Sequence, residues 1–467
     1  LDGRTGFPEL VERGFDLAAC RGTLRLWARG TGRLVTVLDG VVRDVEYGPD
    51  PEPVTCSLQE VQEDDPGLWP EESARVTTTT WPSAASGVLG ERYPWVIGAP
   101  GASGVYPAPA LFVDTSAGGD RLLIAGHPVA ATSVDVIDDS DGTTALGRPI
   151  TTVLDGLGRA CALVDLTGSG ITINAGHSYW IRWGVAGGGL QKPDGSLLAG
   201  AGSVLRWLLG YSRARVDWGR VAAAVPFLDL YRLDTYIQAS PDARMSPWDW
   251  IVDHLIPILP VSVRISSDGV YLQVWRQDAT ADQAAAHIEV GTDGSIPARG
   301  VLLGSVSYSP REDVANEVTL RYRQDARTDR LLSRRVLTGD SALAVSDADA
   351  ELNLYCLDSR SRYRTFDGQP QTLPLELSSE VVWDAGTAGA ILASLAQRKA
   401  LQHRLVGYSV PVEAVGHLEP GDVVTLTDPA LSWTRKVFLV ERVVWRLTGF
   451  LDLDIREVVQ APGHKAA

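Results

Sequence analysis

Seven histidines, at positions 127, 177, 254, 287, 403, 417 and 464, and four cysteines, Cys20, Cys56, Cys161 and Cys356, are the side chains of this 467-residue chain best suited to nucleophilic, proton-transfer or metal chemistry. Each stands alone. A zinc-type centre needs Cys and His pairs a few residues apart, and there is no C-x-x-C and no H-E-x-x-H. The four scattered cysteines read as buried, reduced thiols, and His254 as a packing residue on a helix face. Glu60, Glu63, Asp64, Asp65, Glu71 and Glu72 could offer oxygen ligands to a hard cation. They lack the spacing of a calcium loop and read as a solvated loop. In Asp138-Asp139-Ser140-Asp141-Gly142, counting back from the glycine puts the first ligand position on Ile137, and no Glu follows at the required distance. This stretch reads as a hairpin tip. No G-x-S-x-G elbow and no Gly-Lys pair for a phosphate loop occur, and Gly98, Gly101 and Gly104 miss the dinucleotide spacing. A glycosidase needs only two carboxylates at a suitable separation, but nothing selects a pair. No catalytic, cofactor-binding or metal-binding residue emerges, and the chain reads as a non-enzyme.

The remaining concentrated chemistry is cationic. Arg321, Arg323, Arg327, Arg330, Arg334 and Arg335 form one run, and Arg360, Arg362 and Arg364 a second. Three readings fit them: exposed strands balanced by Asp325, Asp329 and Asp358, contact with an acidic neighbouring subunit, or contact with nucleic acid. The net charge of −16 weighs against the last, because nucleic-acid affinity comes mainly from neutralising phosphates. It weighs equally against anionic membranes. The nine arginines are therefore candidate subunit-contact residues. Lysine occurs only at 192, 399, 436 and 465, a bias that a GC-rich genome accounts for.

The elements that must hold these residues are mostly strands. Hydrophobic content of 45% suits a globular core, and 47 Gly with 27 Pro suits many short strands joined by turns. The length exceeds what one core usually serves. The fold class expected is mainly β with a helical minority: several antiparallel barrel or sandwich domains and a few connecting helices. Four units are expected: a tube-like N-terminal β-domain over 1–85, a β-rich inserted module over 86–200, an α+β connecting domain over 201–300, and a C-terminal β-barrel domain with one long helix over 301–467. Asp39-Gly40 reads as a hairpin turn. Strands are expected over 121–125, 132–137, 171–174, 179–183 and 317–322. Ser246-Pro247-Trp248-Asp249 reads as a helix start, with Ser as N-cap, Pro at the first helical position and an acid in the first turn. Ala388, Ile391, Leu392 and Leu395 form the apolar stripe of a helix over roughly 385–403. After Pro420-Gly421 three alternating stretches follow, ending on Leu451, Leu453 and Ile455, an antiparallel meander with one wet face. Fourteen tryptophans imply large cores and extensive subunit contact. No run of 18 apolar residues could span a membrane. The chain opens on Leu-Asp-Gly-Arg with neither Met nor a signal-peptide core, which implies that residues before Leu1 were processed or cut away.

Four stretches carry a family resemblance: RYPWVIGAPG at 92–101, AGSVLRWLLGYSRARVDWGRVAAAVPFLDLYRLDTYI at 201–237, SPWDWIVDHLIPILPVSVRISSDGVYLQVWR at 246–276, and the meander at 420–457. In order and texture they resemble the baseplate hub and tail-tip proteins of long-tailed phages and gene transfer agents. The resemblance implies a homotrimeric structural protein of the virion, assembled in the bacterial host cytoplasm. Each subunit would supply two barrels to a pseudo-sixfold ring that closes the tail tube. Its implied partners are a distal tail protein or tail tube ring and fibres or a central spike, with DNA passing through the lumen unbound. Some such hubs hold an iron–sulfur cluster; here only the four scattered cysteines could supply one. The alternative is a carbohydrate-active or glycan-binding β-protein, with tryptophans and a carboxylate pair lining an open groove.

Overall fold

The computed structural model describes residues 20–28, 33–47, 54–59, 74–101, 105–114, 120–171, 174, 176–183, 187–211, 215–239, 245–266, 269–276, 278–290, 302–446 and 450–459. Strand, at 41%, outweighs helix, at 21%, so the fold class is mainly β. The acidic run at 60–72 lies outside the described residues.

Arg21–Ala28, Arg33–Tyr47 and Val54–Gln59 make a three-stranded antiparallel sheet. Asp39 and Gly40 do not turn the chain there: they lie inside the middle strand, opposite Thr23 and Gly22. An Asp-Gly pair tolerates a tight turn without demanding one, and the neighbouring strand holds it extended.

Six strands then close into an antiparallel barrel: Ala108–Asp114, Arg121–Ala125, Ser133–Asp138, Thr144–Leu154, Ala160–Asp165 and Tyr179–Arg182. Closure is made by Tyr179–Arg182, which pairs with Ala108–Ala110 on one side and Asp135–Asp138 on the other. Successive residues face opposite sides. Phe112, Leu122, Ile124, Ala162 and Val164 fill the inside, while Leu111, Val113, Leu123, Cys161 and Leu163 pack outward against Val76, Trp81 and Tyr93. Burial on both faces explains why these strands read as continuous apolar runs rather than alternations. The Asp138–Gly142 stretch is the hairpin tip expected, with Gly142 at φ +76° and Asp138 Oδ1 accepting from the Ser140 N–H at 2.9 Å. Ile171 and Asn174 are not in a strand, and the two residues between them lie outside the described set.

A helical core follows. Ala201–Leu209 buries Val204, Leu205, Leu208 and Leu209 on one face. Trp218–Leu228 is capped by Asp217, whose side chain accepts from Arg220 N–H. Ser246 caps Pro247–Trp250 as its residues require, accepting from the Asp249 N–H at 3.1 Å, and the helix widens into a π-turn over Ile251–Leu255. Ala385–Lys399 is the long helix, started by Asp384 accepting from Thr387 N–H at 2.6 Å. Its stripe of Ala388, Ile391, Leu392 and Leu395 joins the same cluster as Val204, Leu208, Val318 and Leu320. One core therefore links residues 201–272 to the sheet that follows.

That sheet has the order Ala350–Leu352, Arg330–Thr338, Glu317–Asp325, Pro374–Ser378. The last sheet contains Ala286–Glu289, Val423–Asp428, Trp433–Trp445, Phe450–Glu457, Arg404–Pro411 and Leu302–Tyr308, in that order. Leu451, Leu453 and Ile455 are buried and their neighbours are not, so the expected alternation holds. Among the described residues this ladder is not closed on itself.

Candidate functional site

The arginine-bearing surface is built on the hairpin of Glu317–Asp325 and Arg330–Thr338 and on the helix Leu354–Arg362. Residues 360–362 are thus helical, not a second pair of strands. Asn353 starts this helix by accepting from the Tyr355 and Cys356 N–H groups, and Arg360 and Arg362 sit in its last turn, where the helix dipole favours cations.

Antiparallel register places Arg321 directly opposite Arg334. Like charges facing across a strand pair repel, and each is neutralised separately: Arg321 by Glu376 on the parallel edge strand, Arg334 by Asp347. Arg335 donates to Glu351 Oε1 at 2.6 Å and to the Ala385 carbonyl at 2.7 Å, tying the sheet to the long helix. Arg323 has a left-handed backbone, at φ +63°. Its backbone N–H donates to Val382 O at 3.0 Å and its Nε to Trp383 O at 2.7 Å. Arg327, in the turn, pairs with Asp139 at 2.9 Å and so reaches the barrel's hairpin tip. Arg360 pairs with Asp340 at 2.8 Å and Arg362 with Asp358 at 2.8 Å, one helical turn away. Arg364 clamps its own turn, donating to Gly368 O at 2.8 Å. Arg330 and Arg364 are exposed with no ion pair among the described residues. Of the balancing carboxylates expected, Asp358 pairs with an arginine of the set. Asp325 instead accepts from Thr328 Oγ1 at 2.9 Å, and Asp329 from Gln324 Nε2 at 3.2 Å. Exposed pairs of this kind contribute at most about 1 kcal/mol each. Their main consequence is geometric: guanidiniums already committed to carboxylates and carbonyls are poor phosphate ligands.

The described tryptophans mostly serve this chain's own cores. Trp81, Trp183, Trp250, Trp383 and Trp433 are buried, and among the described side chains only Trp218 is classed as exposed. Trp95 and Trp207 pack at 5.1 Å between ring centroids. Trp207, Tyr211 and Trp218 line a groove of about 960 Å³ with Leu190, Lys192 and Arg206. No Asp or Glu lines it, so the carboxylate pair of a glycosidase is not assembled there.

Among the described residues no three His, Cys, Asp or Glu side chains come together as metal ligands. Cys161 and Cys356 are buried, in different hydrophobic clusters, whereas Cys20 is exposed, against the expectation of four buried thiols. Burial, with Asp155 near Cys161 and Glu317 near Cys356, pushes each of these two thiols up to about 12, which makes them poor nucleophiles. His254 packs its ring at 5.1 Å from that of Trp250.

The sequence reading passed over two polar constructions. Asp234 accepts from the Ala99 N–H at 2.7 Å and from Arg232 Nε at 3.0 Å. Gly98, at φ +65°, has no room for a side chain against Asp234, which explains the glycine in the 92–101 stretch without any nucleotide. The second is a basic cavity around Arg398 and Arg456. Its only sequence signal is the Arg398-Lys399 pair at a helix end.

Residues 359–448 match the family described as putative phage tail protein. This segment runs from the arginine-bearing helix through the long helix into the last sheet. No curated protein matches the sequence significantly. Among solved structures, the virion of a native gene transfer agent particle is similar at 14% identity and TM-score 0.42, covering 80% of this chain and 85% of that one. A tail protein from Neisseria meningitidis MC58 is similar at 12% identity and TM-score 0.28, covering 78% and 97%. The 43 kDa tail protein of prophage MuSo2 from Shewanella oneidensis is similar at 11% identity and TM-score 0.28, covering 79% and 90%. With every TM-score here below 0.5, those likenesses carry no argument, and it is the segment 359–448 that is similar to a phage tail protein family.

Proposed function

We propose that this protein is the baseplate hub of a tailed phage or related particle, a non-enzymatic trimer that closes the tail tube and organises the tail tip for host attachment and DNA delivery. The observation that carries the reading is the tail-protein match over residues 359–448, which includes three of the nine arginines. Two six-stranded systems on one chain support it, since three copies would then present six such units around a sixfold tube. The net charge of −16 supports a lumen that repels passing phosphate. The partners are two further copies, a distal tail protein or tube ring, and fibres or a central spike; no cofactor is assigned. Contact surface is available beside the arginines. Phe366 is fully exposed at the tip of the turn that Arg364 clamps, and Val345 and Leu354 are exposed nearby in sequence. No described helix is long and apolar enough to cross a membrane.

The test is the mass of the full chain in solution, alone and mixed with the tail-tube ring protein of the same particle. Three copies per assembly are expected. Arg330→Glu with Phe366→Ser should weaken that assembly while leaving the circular dichroism and melting temperature unchanged. A monomer under both conditions, or saturable binding of a soluble glycan lost in Trp218→Ala, would overturn the hub in favour of the glycan reading.

A further inference from the structure

The helix Ala385–Lys399 ends against the last sheet, and a cavity of about 340 Å³ opens between them. Arg398, Lys399 and Arg456 line it, together with Asp313, Glu441 and apolar groups including Leu401 and Leu405. Arg456 is held in place: its Nη1 lies 3.4 Å from Glu441 Oε1, its Nη2 3.4 Å from the Arg398 carbonyl, and its guanidinium 5.8 Å from the centre of the Trp275 ring. Arg398 is different. Its Nε and Nη2 are buried and meet no acceptor, and Arg456 Nε is likewise unmet. A buried donor without a partner costs about 1–3 kcal/mol, and more when it carries charge. Three such donors on two arginines that line one cavity are an arrangement that a ligand would relieve.

The local charge agrees. Three cations face two carboxylates here, on a chain whose net charge is −16. One of those carboxylates, Glu441, is already committed to Arg456. The Arg398 main-chain carbonyl accepts from His403 Nε2 at 2.8 Å as well as from Arg456 Nη2. Burial pulls Arg398 down to about 10, still fully charged at neutral pH. A planar guanidinium with two free N–H groups matches an oxyanion, which accepts them as a fork.

We propose that this cavity is an oxyanion-binding site, in which Arg398 and Arg456 hold a carboxylate or phosphate group with Lys399 at its rim. The cavity is large enough for a small anion or for the end of a single acidic side chain. The shared chemistry is the oxyanion. It comes either from solution or from an Asp or Glu presented by a neighbouring tail protein.

The experiment uses the full chain at constant ionic strength with chloride as the balancing anion. Inorganic phosphate and acetate are titrated while the melting temperature and the heat of binding are followed. A saturable rise in melting temperature with 1:1 heat is expected. Arg398→Met should abolish it. Because that variant removes a buried side chain and could fail to fold, Glu441→Gln is measured beside it. This change frees Arg456 from its present partner and should tighten binding several-fold. A response to phosphate but not acetate assigns the site to a free ion. A response to both, with cross-linking of a Lys399→Cys variant to a neighbouring tail protein, assigns it to a presented carboxylate. The proposal is overturned if neither anion gives a saturable response, or if Glu441→Gln responds no more tightly than the native chain.

Discussion

The barrel at residues 108–182 and the sheet at residues 286–457 both contain six strands, yet one closes on itself and the other, among the described residues, keeps two edges. The barrel is made entirely of antiparallel neighbours, and Tyr179–Arg182 seals it by pairing on both sides. Closure removes the row of unpaired backbone groups that makes a sheet edge reactive toward other chains. The later sheet instead recruits strands from far away. Ala286–Glu289 lies parallel to Val424–Thr427, and Leu302–Tyr308 forms the opposite edge with Val306 and Tyr308 exposed. A unit that has satisfied its own backbone needs no neighbour, whereas one with an exposed edge can take part in assembly. The family match falls on the second unit, not the first.

The two units also have separate cores, and that separation is the largest thing a mutation can break. Leu122 in the barrel and Leu453 in the last sheet are each fully buried, in different clusters. Leu122→Ala and Leu453→Ala should each cost about 2–5 kcal/mol. In a urea titration followed by tryptophan fluorescence, each should shift a different part of the unfolding curve. If both shift one common transition equally, the units are thermodynamically one.

Histidine sharpens the contrast. His127 follows a barrel strand and stacks on Trp95 at 4.9 Å. Its Nε2 accepts from the Val96 N–H at 3.1 Å, so Nδ1 carries the proton and donates to Pro128 O at 2.8 Å. Only the neutral ring fits both partners, and burial lowers its pKa to about 4. A His whose folded value lies below the unfolded 6.5 stabilises the fold above pH 6.5. That contribution, about 3 kcal/mol, should be lost progressively as pH falls from 6.5 towards 4. His127→Gln should flatten this part of the stability–pH curve, read by denaturant titration at each pH; a slope equal to that of the native chain would refute the assignment. His403, beside the last sheet, faces two carbonyls, Arg398 O at 2.8 Å and Glu457 O at 3.2 Å. Burial and Arg456 lower it as well.

Two buried tyrosines give a smaller effect. Tyr93 donates to Asp155 at 2.9 Å and accepts from Trp81 Nε1 at 3.0 Å, while Tyr408 only donates, to Asp428 at 2.7 Å. Tyr93→Phe strands two partners and Tyr408→Phe one. The first should cost about 2–3 kcal/mol and the second about 1–2 kcal/mol. Equal losses in melting temperature would show that Trp81 Nε1 finds another acceptor. Smallest of all, Ser246→Ala should cost about 1 kcal/mol in thermal stability, as the loss of an N-cap does. No change would mean that the Asp249 N–H is satisfied elsewhere.

Much of this was legible because it is local. Period-two alternation at Leu451, Leu453 and Ile455 gave the last meander, and the Ser246-Pro247 pair and the stripe from Ala388 to Leu395 gave the helices, since side-chain direction and cap hydrogen bonds are set within a few residues. Strands buried on both faces, such as Arg121–Ala125, were still readable from apolar composition. The arginine runs could be found, and their separate fates could not.

By itself the sequence determined a β-rich chain with capped helices, no assembled catalytic motif, an acidic net charge and the texture of a tail protein. Those properties depend on residue type and short spacing. Only the tertiary structure decided that Asp39-Gly40 stays extended, that residues 360–362 are helical, and that one six-strand system closes while the other, among the described residues, does not. It alone decided that Arg327 meets Asp139, that His287 lies level with Thr425, and that Arg398 and Arg456 share a cavity. Such contacts join positions more than fifty residues apart. Their energy depends on which surfaces the whole chain brings together, and no local pattern encodes that choice.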